Sequence, residues 1–326
     1  MPTVSVIVPN YNHARFLPKR IESILRQSYQ DIELILLDDC STDDSRAILS
    51  QYAGDPRVRL EFNPANSGST FKQWNKGVRL ARGKYVWIAE SDDYADERLL
   101  EQLVGVLEAD EKVTYVYCRS WLTSEDGRLD GFADLYLNYL DPQRWTEDYL
   151  VDGVEECRNY FVHCNLVPNA SAVGFRRSVY DLVGGADESL RLCGDWKLWA
   201  KMALEGRVAY ISEPLNYFRF HPNTVRTKSV YSALSVSESL HVISWIMQRV
   251  PPPGSVREEI CEMSSSYWVA ALMSTHVPLP QKRSILRDIR VIDAHPFRRA
   301  VLPALRTIGL KVRRSWRELV PKQREV

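Results

Sequence analysis

The chain has 326 residues, of which 45% are hydrophobic and 26% charged, and its 42 basic side chains equal its 42 acidic ones. This composition is typical of an ordinary globular protein, so it excludes the collagen-like, disordered and disulfide-scaffold classes. At about 150 residues per domain, the length predicts roughly two domains.

The first half of the chain alternates short β-branched runs with stretches of helical periodicity. An apolar face that starts at Leu17 predicts a first helix, and Ser41 or Thr42 can cap a second one. This alternation predicts right-handed βαβ units and a mostly parallel sheet. The predicted strands are residues 4–8, 32–37, 57–62, 85–89 and 113–117.

The alternation continues to about Phe220, with late strands predicted at residues 172–175 and 207–211 and a tryptophan-rich helix between them. Beyond this point the periodicity is helical, and three prolines and a glycine at residues 251–254 predict a break between helices. We therefore predict two domains. They are an α/β domain of residues 1–225 and a helical, basic C-terminal extension of residues 226–326.

Cysteine usage and hydropathy indicate the compartment. Six cysteines are scattered without a CxxC pair, which argues against a zinc site and favours a reducing environment. No signal segment precedes the first strand, and no apolar run approaches the ~20 residues that a membrane-spanning helix needs. We therefore expect a cytoplasmic protein.

Ligands of parallel sheets bind beyond the carboxyl ends of the strands. This rule selects residues 9–12, then Asp38 and Asp39, and then residues 90–93. No GxGxxG or GxxxxGK[ST] motif occurs, so the dinucleotide turn and the P-loop are excluded. The three carboxylates within residues 90–93 repel one another unless a divalent cation offsets their charge. Spacing alone leaves an alternative open, because both acidic segments can cap a following helix.

Four segments follow one another in a specific order: residues 5–12 (SVIVPNYN), 38–43 (DDCSTD), 66–77 (NSGSTFKQWNKG) and 90–93 (ESDD). Together they resemble bacterial family 2 glycosyltransferases, and the resemblance covers about residues 3–225. It implies the GT-A fold, an α/β architecture with a Rossmann-like mixed sheet. It also implies transfer of a sugar from a nucleotide diphosphate donor, with inversion at the anomeric carbon and a divalent metal, Mn²⁺ or Mg²⁺, on the diphosphate.

The resemblance also implies roles for individual residues at the donor. Pro9 and Tyr11 are expected beside the nucleotide, and Asp39 is expected at the base. Asp92 is expected at the ribose or the metal. Asp93 resembles the principal metal ligand of the family.

Three further residues match family segments near the donor. Asn169 and Ser171 precede a predicted strand and match a segment near the donor sugar and the acceptor. His221 matches an Arg-x-His segment whose imidazole can reach the metal or the diphosphate, although a histidine beside a proline also fits an ordinary loop. Glu90 departs from the Asp that the family usually has.

Inversion by single displacement needs a general base, because the acceptor hydroxyl loses its proton as it attacks. Asp195 matches the residue that serves as this base in the family. Gly194 stands where the family usually has Glu directly before it. A plain N-cap role for Asp195 remains the alternative.

The C-terminal segment is basic, with 13 Lys and Arg against four Asp and Glu in residues 282–326. Apolar residues recur at steps of three and four in residues 297–319, which predicts a basic amphipathic helix. Such a helix can lie on an anionic membrane, which suits a lipid-linked acceptor and a peripheral place on the inner face of the plasma membrane. Packing on the acidic remainder of the chain and a homodimer contact stay open as alternatives. Nucleic-acid binding is not expected, because no recognition motif accompanies the charge.

We therefore predict an inverting, metal-dependent glycosyltransferase that moves a sugar from a UDP- or dTDP-sugar to a hydroxyl of a glycan or lipid-linked glycan. The resemblance implies a role in bacterial surface polysaccharide, such as O-antigen or capsule. A nucleotidyltransferase is one alternative, but it normally has a basic Gly-rich loop where this chain has residues 9–12. A non-catalytic scaffold that binds nucleotide sugars is the other.

Overall fold

The computed structural model describes residues 1–220, 233–274, 277–297 and 299. The chain forms two units, Met1–Lys228 and Ser229–Val326. The strands described in the first unit are β1 (Val4–Asn10), β2 (Ile32–Asp38), β3 (Val58–Phe62), β4 (Tyr85–Ile88), β5 (Tyr94–Ala95), β6 (Val113–Thr123), β7 (Leu129–Phe132), β8 (Tyr149–Asp152), β9 (Val173–Arg176) and β10 (Arg207–Arg219). Its helices are α1 (Leu17–Leu25), α2 (Ser45–Ser50), α3 (Thr70–Leu80), α4 (Leu99–Ala109), α5 (Gly153–Glu156), α6 (Arg177–Leu182) and α7 (Gly194–Ala203).

Short helical turns connect several of these elements. A π-helical turn, Cys157–Phe161, directly continues α5. The 3₁₀ turns are Leu135–Tyr139, Arg144–Thr146 and Ala170–Ala172. These turns lie in the stretch between β7 and β9, where the sequence analysis predicted no regular element.

The strands form one sheet in the order β3-β2-β1-β4-β9-β6-β10-β5, with β7 beside β6 and β8 beside β10. The pairs β3-β2, β2-β1 and β1-β4 are parallel. Strand β9 lies antiparallel between β4 and β6. The sheet is therefore mixed, as the family resemblance implies. Strand-helix alternation predicts a mostly parallel sheet. This prediction is wrong at β9, which comes from a distant part of the chain and pairs antiparallel with both of its neighbours.

The central strands and the first helix form where their sequences predict. All seven residues of β1 and all seven of β2 are buried, as expected for parallel strands covered on both faces. Helix α1 turns Leu17, Ile21 and Ile24 into the core. It ends at Leu25.

Helix α2 begins later than predicted, at Ser45 instead of Ser41 or Thr42. The hydroxyl of Ser41 accepts a hydrogen bond from the backbone N–H of Asn12 (2.9 Å), and the backbone N–H of Thr42 donates to Asn12 Oδ1 (2.7 Å). These residues therefore fasten the loop after β2 to the loop after β1 instead of starting a helix.

The described part of the second unit is helical, which confirms the predicted helical character of the C-terminal region. Its helices are α8 (Ala233–Arg249), α9 (Gly254–Met273) and α10 (Leu279–Ile292). The proline run at residues 251–253 separates α8 from α9, as predicted. Within the described ranges, no helix combines the length and the apolar character needed to cross a membrane. Most of the predicted basic amphipathic helix, residues 298 and 300–319, lies outside the described residues.

The packing of Gly153 leads to a stability prediction. A Cβ at this position would lie 1.8 Å from the carbonyl oxygen of Ala203, which belongs to the backbone. We expect Gly153→Ala to lower the free energy of unfolding by about 2 kcal/mol or more, measured by urea denaturation. Gly105→Ala is the matched control, because Gly105 lies in α4 with open space around it. We expect this variant to raise the free energy of unfolding by about 0.5–1 kcal/mol. Equal losses in both variants would contradict the packing argument.

Candidate active site

The carboxyl ends of β1, β2 and β4 meet at one edge of the sheet. Asn10 lies opposite Asp38 at the ends of β1 and β2, and Ile7 lies opposite Ile88 near the end of β4. The loops that follow these strands enclose a cavity of about 780 Å³. All three predicted loop segments contribute to its wall. Residues predicted at the donor that line it are Pro9, Tyr11, Asp39, Asp92, Asp93 and Asn169.

Asp39 organises one wall of the cavity. Its carboxylate accepts hydrogen bonds from the side-chain amide of Asn63 (2.6 Å) and from Nε2 of Gln73 (2.9 Å). It also accepts from the hydroxyl of Ser67 (2.7 Å) and from the backbone N–H of the same residue. These contacts hold the loop after β3 and the first turns of α3 against the end of β2. Contact between Asp39 and a nucleotide base stays a prediction.

Asp93 lies on the floor of the cavity and is only 1% exposed. Its Oδ2 accepts hydrogen bonds from the amide of Asn169 (2.8 Å) and the hydroxyl of Ser171 (2.6 Å), and its Oδ1 accepts from the backbone N–H of Arg219 (2.9 Å). One carboxylate thus joins the loop after β4, the turn before β9 and the end of β10. Three residues predicted at the donor site are brought into direct contact, although 76 residues separate Asn169 from Asp93.

A buried arginine that the sequence analysis missed supports this floor. Arg20 is fully buried, and its guanidinium donates to the backbone oxygen of Glu90 (2.8 Å) and to the hydroxyl of Ser171 (2.7 Å). Burial lowers the pKa of Arg20 to about 10, while the carboxylates of Asp93, Asp92 and Glu90 oppose this shift. Arg20 lies on the apolar face of α1, directly before Ile21. A charged residue on such a face is the signal that would have identified it.

His13 is a second cavity residue that the sequence analysis did not select. Its Nδ1 lies 2.8 Å from the hydroxyl of Ser91, and its ring packs edge-on against Phe16. This contact joins the loop after β1 to the loop after β4. Its position directly after residues 9–12 is the signal that would have identified it.

Glu90 is held by a tryptophan. The indole N–H of Trp74, a core residue of α3, donates to the Glu90 carboxylate at 2.8 Å. Burial of the side chain and repulsion from Asp92 raise the pKa of Glu90 to about 8. Burial and the charge of Asp92 also raise the pKa of Asp93. The edge of the sheet therefore concentrates more negative charge than Arg20 offsets.

The helix-cap alternative fails for the segment at residues 90–93. Strand β5 follows it, and α4 begins only at Leu99, with Arg98 at the N-cap position. In the earlier segment, Asp43 does accept a hydrogen bond from the backbone N–H of Ser45 at the start of α2 (3.0 Å). Asp38 and Asp39 bond elsewhere.

The acidic residues fit a divalent cation that takes part of its coordination shell from a ligand. Among the described residues, no three His, Cys, Asp or Glu side chains form a group that could hold a metal. A hard cation is often bound by one or two carboxylates together with phosphate oxygens and water. Asp92 in the wall and Asp93 in the floor supply such carboxylates, and a cation would relieve their repulsion. His221 lies outside the described residues.

Asp195 lies in the first turn of α7, outside the lining of this cavity. The N-cap residue of α7 is Cys193, so the N-cap alternative for Asp195 is wrong. The amide of Asn165, a residue the sequence analysis did not select, donates to Asp195 Oδ2 at 2.9 Å. The structure also explains Gly194, because a Cβ there would lie 2.5 Å from the ring of Phe71.

Comparison with known proteins shows which family this chain is similar to. Residues 5–159 match the family model described as "Glycosyl transferase family 2". The chain spans 33–65% of the length of the first three curated relatives, with identities of 27–42%. It is also similar to the "Putative teichuronic acid biosynthesis glycosyltransferase TuaG" of Bacillus subtilis (strain 168). That match has 37% identity over 150 residues and covers 44% of this chain and 58% of the relative.

Solved structures confirm the predicted fold. The chain is similar to S. aureus TarS 1-349 in complex with UDP-GlcNAc, with 17% identity and a TM-score of 0.68, covering 96% of this chain and 92% of that one. It is also similar to the mannosyltransferase PcManGT of Pyrobaculum calidifontis in complex with GDP-Man and Mn²⁺. That match has 17% identity and a TM-score of 0.57, covering 97% of this chain and 81% of that one. The fold is GT-A, with a mixed sheet and a helical C-terminal region.

The raised pKa of Glu90 leads to a prediction about stability and pH. Between pH 4.5 and about 8, the folded state holds a proton that the unfolded state releases, so stability falls as the pH rises through this window. Glu90→Gln keeps the acceptor for Trp74 and removes this proton. We expect its melting temperature in EDTA to fall less steeply with pH than that of the wild type. The exposed Glu97→Gln is the control and should keep the wild-type slope, and a wild-type slope for Glu90→Gln would refute the assignment.

Proposed function

We propose that the chain, whose residues 5–159 match the model of the family 2 glycosyltransferases, transfers a sugar from a nucleoside diphosphate donor to a hydroxyl of an acceptor glycan. The observation that carries this proposal is the cavity at the carboxyl ends of β1, β2 and β4, with Asp39 in its wall and Asp93 in its floor. It combines polar groups that suit a nucleoside with acidic groups that suit a cation-bound diphosphate.

We place the nucleoside between the loop after β1 and the wall that Asp39 organises. Tyr11, which is 46% exposed at the cavity, and Pro9 lie on one side of this space. The resemblance of the fold to TarS, solved with UDP-GlcNAc, supports a UDP-sugar as the donor, and dTDP is the related alternative. Asn169 and Ser171 act on the donor side by fixing Asp93.

Asp92 and Asp93 are the residues that would hold a divalent cation. Such a cation, when bound, supplies positive charge that stabilises the departing diphosphate. The structure of PcManGT with GDP-Man and Mn²⁺ supports Mn²⁺ or Mg²⁺ for this chain. The buried charge of Arg20 acts on both carboxylates from inside the protein.

Asp195 is the proposed general base of an inverting displacement. The acceptor oxygen attacks the anomeric carbon on the face opposite the diphosphate, and the bond to the diphosphate oxygen breaks. The proton of the acceptor hydroxyl passes to the Asp195 carboxylate. A place in the first turn of α7 favours the ionised form that a base requires. The biosynthetic role in the name of TuaG supports a surface glycan as the acceptor.

Ligand-dependent stability tests the donor site. We expect UDP, dTDP or GDP, each with Mn²⁺, to raise the melting temperature, because a ligand at 100 times its dissociation constant adds about 2.7 kcal/mol. Asp92→Asn should abolish the part of the shift that requires Mn²⁺. Asp96→Asn is the control, since Asp96 pairs with Arg98 outside the cavity. No shift with any nucleotide would refute the donor site.

Turnover tests the base. We expect Asp195→Asn to lower the rate of nucleoside diphosphate release from a UDP-, dTDP- or GDP-sugar by roughly 100-fold or more, with nucleotide binding retained. Asp181→Asn, an exposed carboxylate in α6, is the control. Full activity in Asp195→Asn would show that another group takes the proton. Nucleotide binding without any turnover in the wild type would favour the scaffold, and pyrophosphate release from a nucleoside triphosphate and a sugar phosphate would favour the nucleotidyltransferase.

A further inference from the structure

The amide of Asn165 has one defined orientation. Its Oδ1 accepts a hydrogen bond from the backbone N–H of Val167 (3.1 Å), and its Nδ2 donates to Asp195 Oδ2 (2.9 Å). An ionised carboxylate only accepts hydrogen bonds, so the nitrogen of the amide must face Asp195. The contact therefore stabilises the charged form of the Asp195 carboxylate.

Asn165 is itself held in place on both sides. Leu166 and Val167, which follow it, are fully buried. The hydroxyl of Tyr136, in the 3₁₀ turn Leu135–Tyr139, donates to the backbone oxygen of Asn165 at 2.6 Å. The amide is thus a fixed donor and not a mobile surface group.

The two oxygens of Asp195 are held from two different segments. Oδ1 lies 2.7 Å from the backbone nitrogen of Trp196 in the same helix, whereas Oδ2 is held by Asn165 from outside the helix. Two contacts on different oxygens define the plane of a carboxylate. Gly194 cannot supply a further contact to the Asp195 carboxylate, because it has no side chain. The ring of Phe71 occupies the space that a Cβ at this position would need.

We propose that Asn165 is a positioning residue that fixes the Asp195 carboxylate for deprotonation of the acceptor hydroxyl. This inference rests on the proposed function, because it requires Asp195 to be the base. A neutral amide orients the carboxylate without adding charge. A second carboxylate at the same place would repel Asp195 and raise its pKa. The two charged residues nearest to Asp195 in the sequence are Lys197, which pairs with Asp187 (2.7 Å), and Arg191.

The test compares Asn165→Ala and Asn165→Asp with the wild type. Release of nucleoside diphosphate from UDP-GlcNAc, UDP-glucose and GDP-mannose is measured with Mn²⁺ across the pH range. We expect Asn165→Ala to lower kcat roughly 10- to 100-fold, with KM for the nucleotide sugar within about twofold, because binding is intact and only the base is misaligned. We expect Asn165→Asp to move the acid limb of the kcat profile upward by about one pH unit or more, which a merely structural defect would not do.

Controls separate this inference from the proposed function. Asn159→Asp makes the same change in the preceding helical turn, where the amide contacts Glu155, and should leave the limb unmoved. Asn165→Leu replaces Asn165→Asp if the latter does not fold, and it should also shift the limb upward because a donor to the charged carboxylate is lost. Two results together overturn the inference: the acid limb of Asn165→Asp does not move, and kcat of Asn165→Ala stays within about twofold of the wild-type value. Full activity in Asp195→Asn shows that another group is the base, which overturns the inference but not sugar transfer, whereas no release by the wild type refutes the proposed function itself.

Discussion

The buried guanidinium of Arg20 is the interaction on which the acidic edge of the sheet depends. It reaches from α1 to the backbone at Glu90 and to the hydroxyl of Ser171, and that hydroxyl in turn donates to Asp93. A carboxylate as buried as Asp93 is costly without an opposite charge nearby. Because Arg20 is fully buried, its charge acts on Asp93 with little screening by water. The floor of the cavity is therefore an electrostatic unit built from three distant segments.

The charges of this electrostatic unit do not cancel, and the excess negative charge has a chemical use. One arginine faces Glu90, Asp92 and Asp93, and the pKa values of Glu90 and Asp93 are raised as a result of burial and repulsion. A site with excess negative charge favours a divalent cation, and a cation in turn favours a diphosphate. The geometry thus couples binding of the proposed donor to binding of the proposed metal.

Helix α3 connects the two halves of the proposed site. Its Gln73 supports Asp39 in the nucleotide wall, and its Trp74 holds Glu90 beside the acidic cluster. Its Phe71 packs where a side chain at position 194 would otherwise lie, one residue before Asp195. The donor edge and the first turn of α7 are therefore aligned on one rigid element. This arrangement gives a steric reason for Gly194 and a hydrogen-bond partner for Glu90, the two departures from the family pattern.

Local patterning in the sequence is enough to predict the buried strands β1, β2 and β4, the helical C-terminal region and the acidic segments at the strand ends. The sequence also identified Asp93 and Asn169 as residues of one site through the family motifs. The folded structure was needed to show that β9 inserts antiparallel between β4 and β6. It was also needed to show that Arg20 supports the acidic floor and that Asn165 contacts Asp195. The reason is physical. Hydrophobic periodicity records which face of an element is buried, but a hydrogen bond between residues far apart in the chain leaves no periodic trace in either segment.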